Sequence, residues 1–210
     1  MAKFDSYLLG KVTKTLGNVT MCYVRKQNVA RARIFSRKDN PTPEVLDQRA
    51  RMKTLIDLSC FLLPVVQKGF VGVGNGTTSN AFVAKNMKMI EVDDKHETTV
   101  NYERLIVAMG RLEVPEVAVM YSSEDEVYVF EQDVLEAEHA FAMADDQVYA
   151  VLFESVLMQT RLMPLKSRGE NGDTEVALPK NWEPANVKVY CFATSKNGKS
   201  VSSSQYLTVA

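Results

Sequence analysis

The chain has 210 residues and a mass of 23.5 kDa, with 46% hydrophobic and 24% charged residues. This composition excludes collagen-like and low-complexity chains, and the longest apolar run, 60–66, falls far short of the ~20 residues a membrane helix needs. The net charge of −1 hides a division: residues 1–88 carry 15 basic against 5 acidic residues, and residues 89–210 carry 10 against 21.

The asymmetry is steepest in residues 1–38, where 9 basic residues face the single acid Asp5. It points to two surfaces with different partners, or to the basic face of one chain meeting the acidic face of the next. No apolar core of a secretory signal follows Met1. Cys22, Cys60 and Cys191 are odd in number and widely spaced, which suits neither a disulfide framework nor a metal site. Cys60 and Cys191 lie in apolar segments and are expected to be buried. The expected location is the cytoplasm, or a virion if the chain is of phage origin.

In chain order, residues 18–24 and 29–35 read as two strands, with Arg25-Lys26-Gln27-Asn28 as the turn and Asn28 left-handed. Alternation places Arg31 and Arg33 on one face and Ala30, Ala32 and Ile34 on the other. This is a basic β-hairpin, and Arg25, Lys26, Arg31, Arg33, Arg37 and Lys38 are its candidate binding residues. Thr42, Pro43 and Glu44 start a helix by capping, fixed φ and helix dipole. Its apolar stripe is Leu46, Met52, Leu55, Ile56, Leu62, Leu63 and Val66, with Pro64 and Gly69 marking its end.

The glycines at 69, 72, 74 and 76 lack the lysine of a phosphate loop and the spacing of a dinucleotide fingerprint. They read as a connection to a second helix, capped at Thr77, Thr78 or Ser79 and running to about Met89. Residues 91–102 are polar and acidic and read as a linker. Strands are predicted at 105–109, 117–121, 127–131, 147–153, 157–163, 175–178, 187–195 and 201–209. Asn197-Gly198 suits a two-residue hairpin turn with both residues at positive φ. That turn pairs Val189 with Tyr206, Cys191 with Ser204 and Ala193 with Ser202.

The expected fold is α+β: a hairpin and two helices over 1–90, a linker over 91–102, and an antiparallel immunoglobulin-like sandwich over 103–210. His96 and His139 have no metal-spaced neighbours and are expected in solvent, as are the paired carboxylates Asp93-Asp94, Glu124-Asp125-Glu126 and Asp145-Asp146. No catalytic, cofactor or metal residue is expected.

Several segments carry a resemblance. They are Gly17-Asn18-Val19, the strand ending Val29-Ala30-Arg31-Ala32-Arg33, Asn40-Pro41-Thr42-Pro43 before Gln48-Arg49-Ala50, Ser79-Asn80-Ala81-Phe82, and Gly198 to Leu207. In that order they resemble an uncharacterised family of Bacteroidetes proteins, domain of unknown function 6266. The family has no assigned activity, so the resemblance implies no catalytic residue. The segment 187–200 also resembles the closing hairpin of fibronectin type III modules, with Val187 where their corner tyrosine stands. The Asn-Pro lead into a Gln-Arg helix is similar to segments of phage structural proteins, although Thr42 here follows Pro41 directly.

The function expected is a non-enzymatic structural, assembly or protein-interaction module, of phage or prophage origin. A protein partner or a homo-oligomer is expected, with no membrane and no small-molecule substrate. The alternative is a nucleic-acid-binding protein contacting phosphates through the basic ribbon, with Lys11 and Lys14 added to it. A hydrolase using the acidic β-region ranks lowest.

Overall fold

The computed structural model describes residues 1–36 and 39–209. The chain is α+β, and its contacts gather into two compact units, Met1–Thr42 and Pro43–Ala210.

The first unit is a four-stranded antiparallel sheet of β1 (Ala2–Phe4), β2 (Lys14–Leu16), β3 (Val19–Val24) and β4 (Gln27–Ala32), in the order β1-β4-β3-β2. The two basic strands therefore pair as expected, but two more strands flank them. The turn is shorter than expected. Val24 pairs with Gln27, so Arg25 and Lys26 alone make it, at φ 52° and 62°. Asn28 is not left-handed. It lies buried in β4, where its amide donates to the Gly10 carbonyl and accepts from Val12 N–H. Residues 5–13 are thereby tied to the sheet.

The second unit begins with α1 (Pro43–Phe61), α2 (Leu63–Gly69) and α3 (Thr78–Asn86). Helical structure stops at Gly69 and breaks just before Pro64, as expected. Pro64 sits in the first turn of α2, where a missing N–H costs nothing. The α1 stripe is rotated from expectation: Leu55 and Leu58 are buried, while Met52 and Ile56 are about half exposed. Thr77 caps α3 by accepting from Asn80 N–H at 3.2 Å.

Residues 91–102 are not a free linker. They lie within a strand pair, β5 (Ile90–Val92) and β6 (Thr98–Val100), followed by a 3-10 turn at Tyr102–Arg104. The pair is fastened to α1: Arg51 Nε donates to the Ile90 carbonyl, Thr54 and Thr98 hydroxyls meet at 2.7 Å, and His96 Nδ1 lies 2.6 Å from Asp47.

Two further sheets follow. The smaller contains β7 (Val117–Ser122), β8 (Val127–Gln132) and β11 (Gly172–Ala177), in the order β11-β8-β7. The larger contains β9 (Gln147–Glu154), β10 (Gln159–Ser167), β12 (Val187–Thr194) and β13 (Gln205–Leu207), in the order β10-β9-β12-β13. On one face of the larger sheet, Val148, Ala150, Leu152, Val189, Cys191 and Ala193 share a buried cluster with Val119, Tyr128, Phe130 and Val176 of the smaller sheet. On its other face, Val151, Phe153, Tyr190 and Phe192 share a second cluster with Leu55, Leu58, Leu62, Val66, Phe70 and Phe82 of the helical region. The unit is thus layered: helices, sheet, sheet.

This grouping differs from the division that composition suggests at 91–102. Polarity marks an exposed segment, whereas the core shared between helices and sheet runs beneath it. Residues 105–109, expected as a strand, form a connection instead. Met109 N–H donates to the Gly69 carbonyl, Val107 N–H donates to Ser204 Oγ, and Ser204 N–H donates to the Ala108 carbonyl. Gly69 is needed here for close approach: a Cβ would lie 2.5 Å from the Val107 carbonyl oxygen.

The final hairpin also departs from expectation. Thr194 bridges Val201, but Val189 pairs with Leu207 and Cys191 with Gln205, one residue away from the expected partners. The extra residue falls in the triplet 202–204, where Ser204 turns its N–H to Ala108. The loop holds four residues, Lys196 to Lys199, between Ser195 N–H and the Ser200 carbonyl, and only Gly198 has positive φ, at 66°.

Of the cysteines, Cys191 is buried as expected, whereas Cys60 faces solvent. Burial pushes the Cys191 thiol up to about 12, partly opposed by the Arg168 guanidinium, and burial beside Tyr121 pushes the Tyr128 hydroxyl to about 12.

Four outcomes are expected. Gly198→Val forces a β-branched residue into left-handed backbone and should cost about 1–3 kcal/mol, read as a lowered urea midpoint. A fragment of residues 103–210 should bind a hydrophobic dye and melt without cooperativity, because it bares Val151, Phe153, Tyr190 and Phe192, while residues 43–210 should melt cooperatively. A thiol reagent should label Cys60 first and spare Cys191 until unfolding. Raised folded-state values mean that the stability Cys191 and Tyr128 contribute is complete below pH 9 and is lost as pH climbs towards about 12.

Candidate functional site

Two regions gather chemistry-bearing side chains, one in each unit. In the first, Arg25 and Lys26 form the exposed tip between β3 and β4. A left-handed backbone costs a non-glycine residue roughly 1 kcal/mol or more, so two in succession store strain at a charged tip. Arg31 pairs across to Thr20, and Arg33 N–H donates to the Asn18 carbonyl. Strand alternation from Arg31 keeps both arginines on the face that Lys3 also occupies, as its pairing with Val29 requires.

The Arg33 guanidinium lies over the Phe35 ring at 5.1 Å, and the Lys11 ammonium lies over the Tyr23 ring at 5.3 Å. None of the ion pairs among the described residues engages Arg25, Lys26, Arg31 or Arg33. Arg37 and Lys38 lie outside the described residues.

The second region is a cleft of about 720 Å³ at one end of the two sheets, lined in part by Glu113, Glu116, Gln132, Asp133, Glu136 and Arg168. The segments leading into β7 and out of β8 supply the acids. Gln132 closes β8, paired with Val117 on one side and Gly172 on the other. Arg168 follows β10, where its N–H donates to the Asp146 carbonyl and its carbonyl accepts from Leu135 N–H.

Arg168 is 5% exposed, and its Nε lies 3.4 Å from Asp146 Oδ2. Its Nη2 also donates to the Glu113 carbonyl. Desolvation lowers the guanidinium's pKa, while the carboxylates of Asp146 and Glu113 act to raise it. Asp146 Oδ2 further accepts from Met143 N–H. Asp146 is thus not a solvated turn residue: burial separates it from its neighbour Asp145, which reaches the surface and meets Lys196 at 3.4 Å. His139 is exposed but not alone, since its Nε2 lies 2.9 Å from Glu113.

The sequence reading found the basic sheet through charge density and alternation. It missed the cleft, whose lining comes from three separate stretches of chain, 113–116, 132–139 and 168–171. Arg168 follows Arg161 and Lys166 in a stretch without acids, so nothing in the sequence singled it out.

No curated protein and no solved structure matches the chain. Residues 10–208 match the family of unknown function DUF6266. That match takes in β2 to β4 of the basic sheet and the acidic cleft, and the chain belongs to this family.

Proposed function

We propose that the chain is a non-enzymatic assembly module whose basic N-terminal sheet docks on an acidic β-rich unit, that of a second copy or of a similar domain in a larger particle. The carrying observation is the strained tip. Arg25 and Lys26 stand in left-handed backbone, exposed and without ion pairs among the described residues. A surface kept only for solubility gains nothing from that strain or from like charges crowded on one small sheet. An anionic partner offsets both.

The chain carries such a partner, since residues 91–154 hold 17 acidic residues against 3 basic. The reading also includes an immunoglobulin-like arrangement of the two later sheets, supported by their shared buried cluster. A phage or prophage particle, and a Bacteroidetes source, complete it. The phage reading rests on the segment similarity around Asn40-Pro41-Thr42 and on the frequency of such sandwiches in virions, which is analogy of fold, and the Bacteroidetes source rests on the ordered segments from Gly17 to Leu207.

The double substitution Arg31→Glu with Arg33→Glu should abolish self-association in sedimentation velocity at low salt, and rising salt should do the same to the unaltered chain. A chain that stays monomeric at every salt concentration, yet forms a tight, salt-sensitive complex with duplex DNA, would establish the nucleic-acid reading in its place.

A further inference from the structure

We infer that the loop between β1 and β2 is an apolar docking element, and that it enters the cleft at the end of the two later sheets in a second copy of the chain. Tyr7 is fully exposed, Leu8 is 93% exposed and Leu9 62%. Apolar residues left in water in succession are costly, yet this loop is folded. Ser6 Oγ accepts from Leu9 N–H at 3.0 Å, and the Ser6 carbonyl accepts from Gly10 N–H at 3.1 Å. Gly10 closes the turn at φ 59°, backbone that favours glycine. Buried Asn28 then ties down the next residues, donating to the Gly10 carbonyl and accepting from Val12 N–H, each at 2.9 Å. The fold thus holds the three side chains out. Apolar groups fixed in this way lose little freedom on binding and serve as anchors.

The surroundings say what the anchor enters. Both ends of the loop meet at Asn28, since Phe4 pairs with it and Gly10 and Val12 bond to its side chain. That is the end of the sheet where Val24 and Gln27 close the Arg25-Lys26 turn, and where Lys11 lies over the Tyr23 ring. The loop is therefore apolar at its centre with basic residues beside it, and Asp5 is the single acid in residues 1–38. Its complement is an apolar floor within an acidic rim. In the cleft, Val114 and Leu135 are half-buried and Val134 is 45% exposed, while Glu113, Glu116, Asp133 and Glu136 are exposed along the same lining. The volume, about 720 Å³, has room for anchoring side chains. Apolar centre against apolar floor, with opposite charges meeting at the rim, is the layout of a specific protein interface. A loop in one unit and a cleft in the other make a head-to-tail contact, which repeats from copy to copy.

The inference rests on the assembly reading and adds where two copies meet. It is tested with the full chain by sedimentation velocity at low salt. A loop variant carries Tyr7→Ser with Leu8→Ser, and a cleft variant carries Asp133→Lys with Val134→Asn. All four positions are exposed, so both variants should melt like the unaltered chain. Each variant alone should associate about tenfold or more weakly than the unaltered chain. An equimolar mixture should form one-to-one pairs, because each variant supplies the half that the other lacks. Association that survives in the loop variant, or a mixture that stays monomeric, would overturn this inference and leave the assembly reading standing. An unaltered chain that stays monomeric at every salt concentration would overturn it too, and tight binding of that monomer to duplex DNA would take the assembly reading with it. Binding of a monomeric unaltered chain to phosphatidylserine vesicles, lost in the loop variant, would replace the second copy with an anionic lipid surface.

Discussion

The burial of both faces of one antiparallel sheet governs the rest of the second unit. In β9 and β12, residues of one parity face the smaller sheet and residues of the other face the helices. Neither covering layer can be removed without exposing a row of aromatic and aliphatic side chains, each worth roughly 1.5–3 kcal/mol of burial. The helices therefore belong to the β-rich unit in energy as well as in contact. Tyr190 shows the coupling in one residue. It packs in the helical cluster, stands 5.5 Å from the Tyr206 ring, and donates its hydroxyl to the Tyr102 carbonyl at 2.7 Å. Its burial raises its pKa, so it remains a donor across the working pH range.

The charged end of the sheets follows from the same layering. Strands that are apolar on both faces leave charged groups only at or near their ends. Glu154, at the end of β9, is 1% exposed and accepts from Val156 N–H and Leu157 N–H, which closes the β9–β10 turn. At the opposite end Arg168 and Asp146 pair in a buried site, where removing either partner would leave an uncompensated charge. That pair anchors the cleft wall, while the acids at the mouth stay solvated. Structure and charge are thus divided by depth within a few residues.

What was legible in the sequence was local. Proline 43 and Thr77 mark helix starts because capping and fixed φ act within one turn. The apolar stretches at 148–153 and 187–193 were recognised as strands. Their lack of polar alternation was itself the mark of two-sided burial, and so of a third layer. The weak strands β5 and β6 escaped notice because their Thr and Glu residues resemble a linker until α1 supplies the partner. The register of the last hairpin was one residue away in β13 because a bulge in 202–204 serves a distant acceptor, the Ala108 carbonyl, which no local rule contains. The basic residues of the first sheet were visible as composition, but the left-handed pair at its tip was not, since Arg and Lys are poor turn formers by propensity.

The shared helical core has a consequence for how the protein comes off the ribosome. Its helices are synthesised early, yet the surface that buries them is built from β9, β12 and Val201, which emerge much later. Until then Leu58, Leu62, Val66 and Phe82 have no sheet to cover them, and the chain must wait with apolar stripes exposed. Folding of the second unit therefore waits on long-range closure, after β12 and Val201 have been made. The first sheet, complete within its opening residues, is free to form while the remainder is still being made.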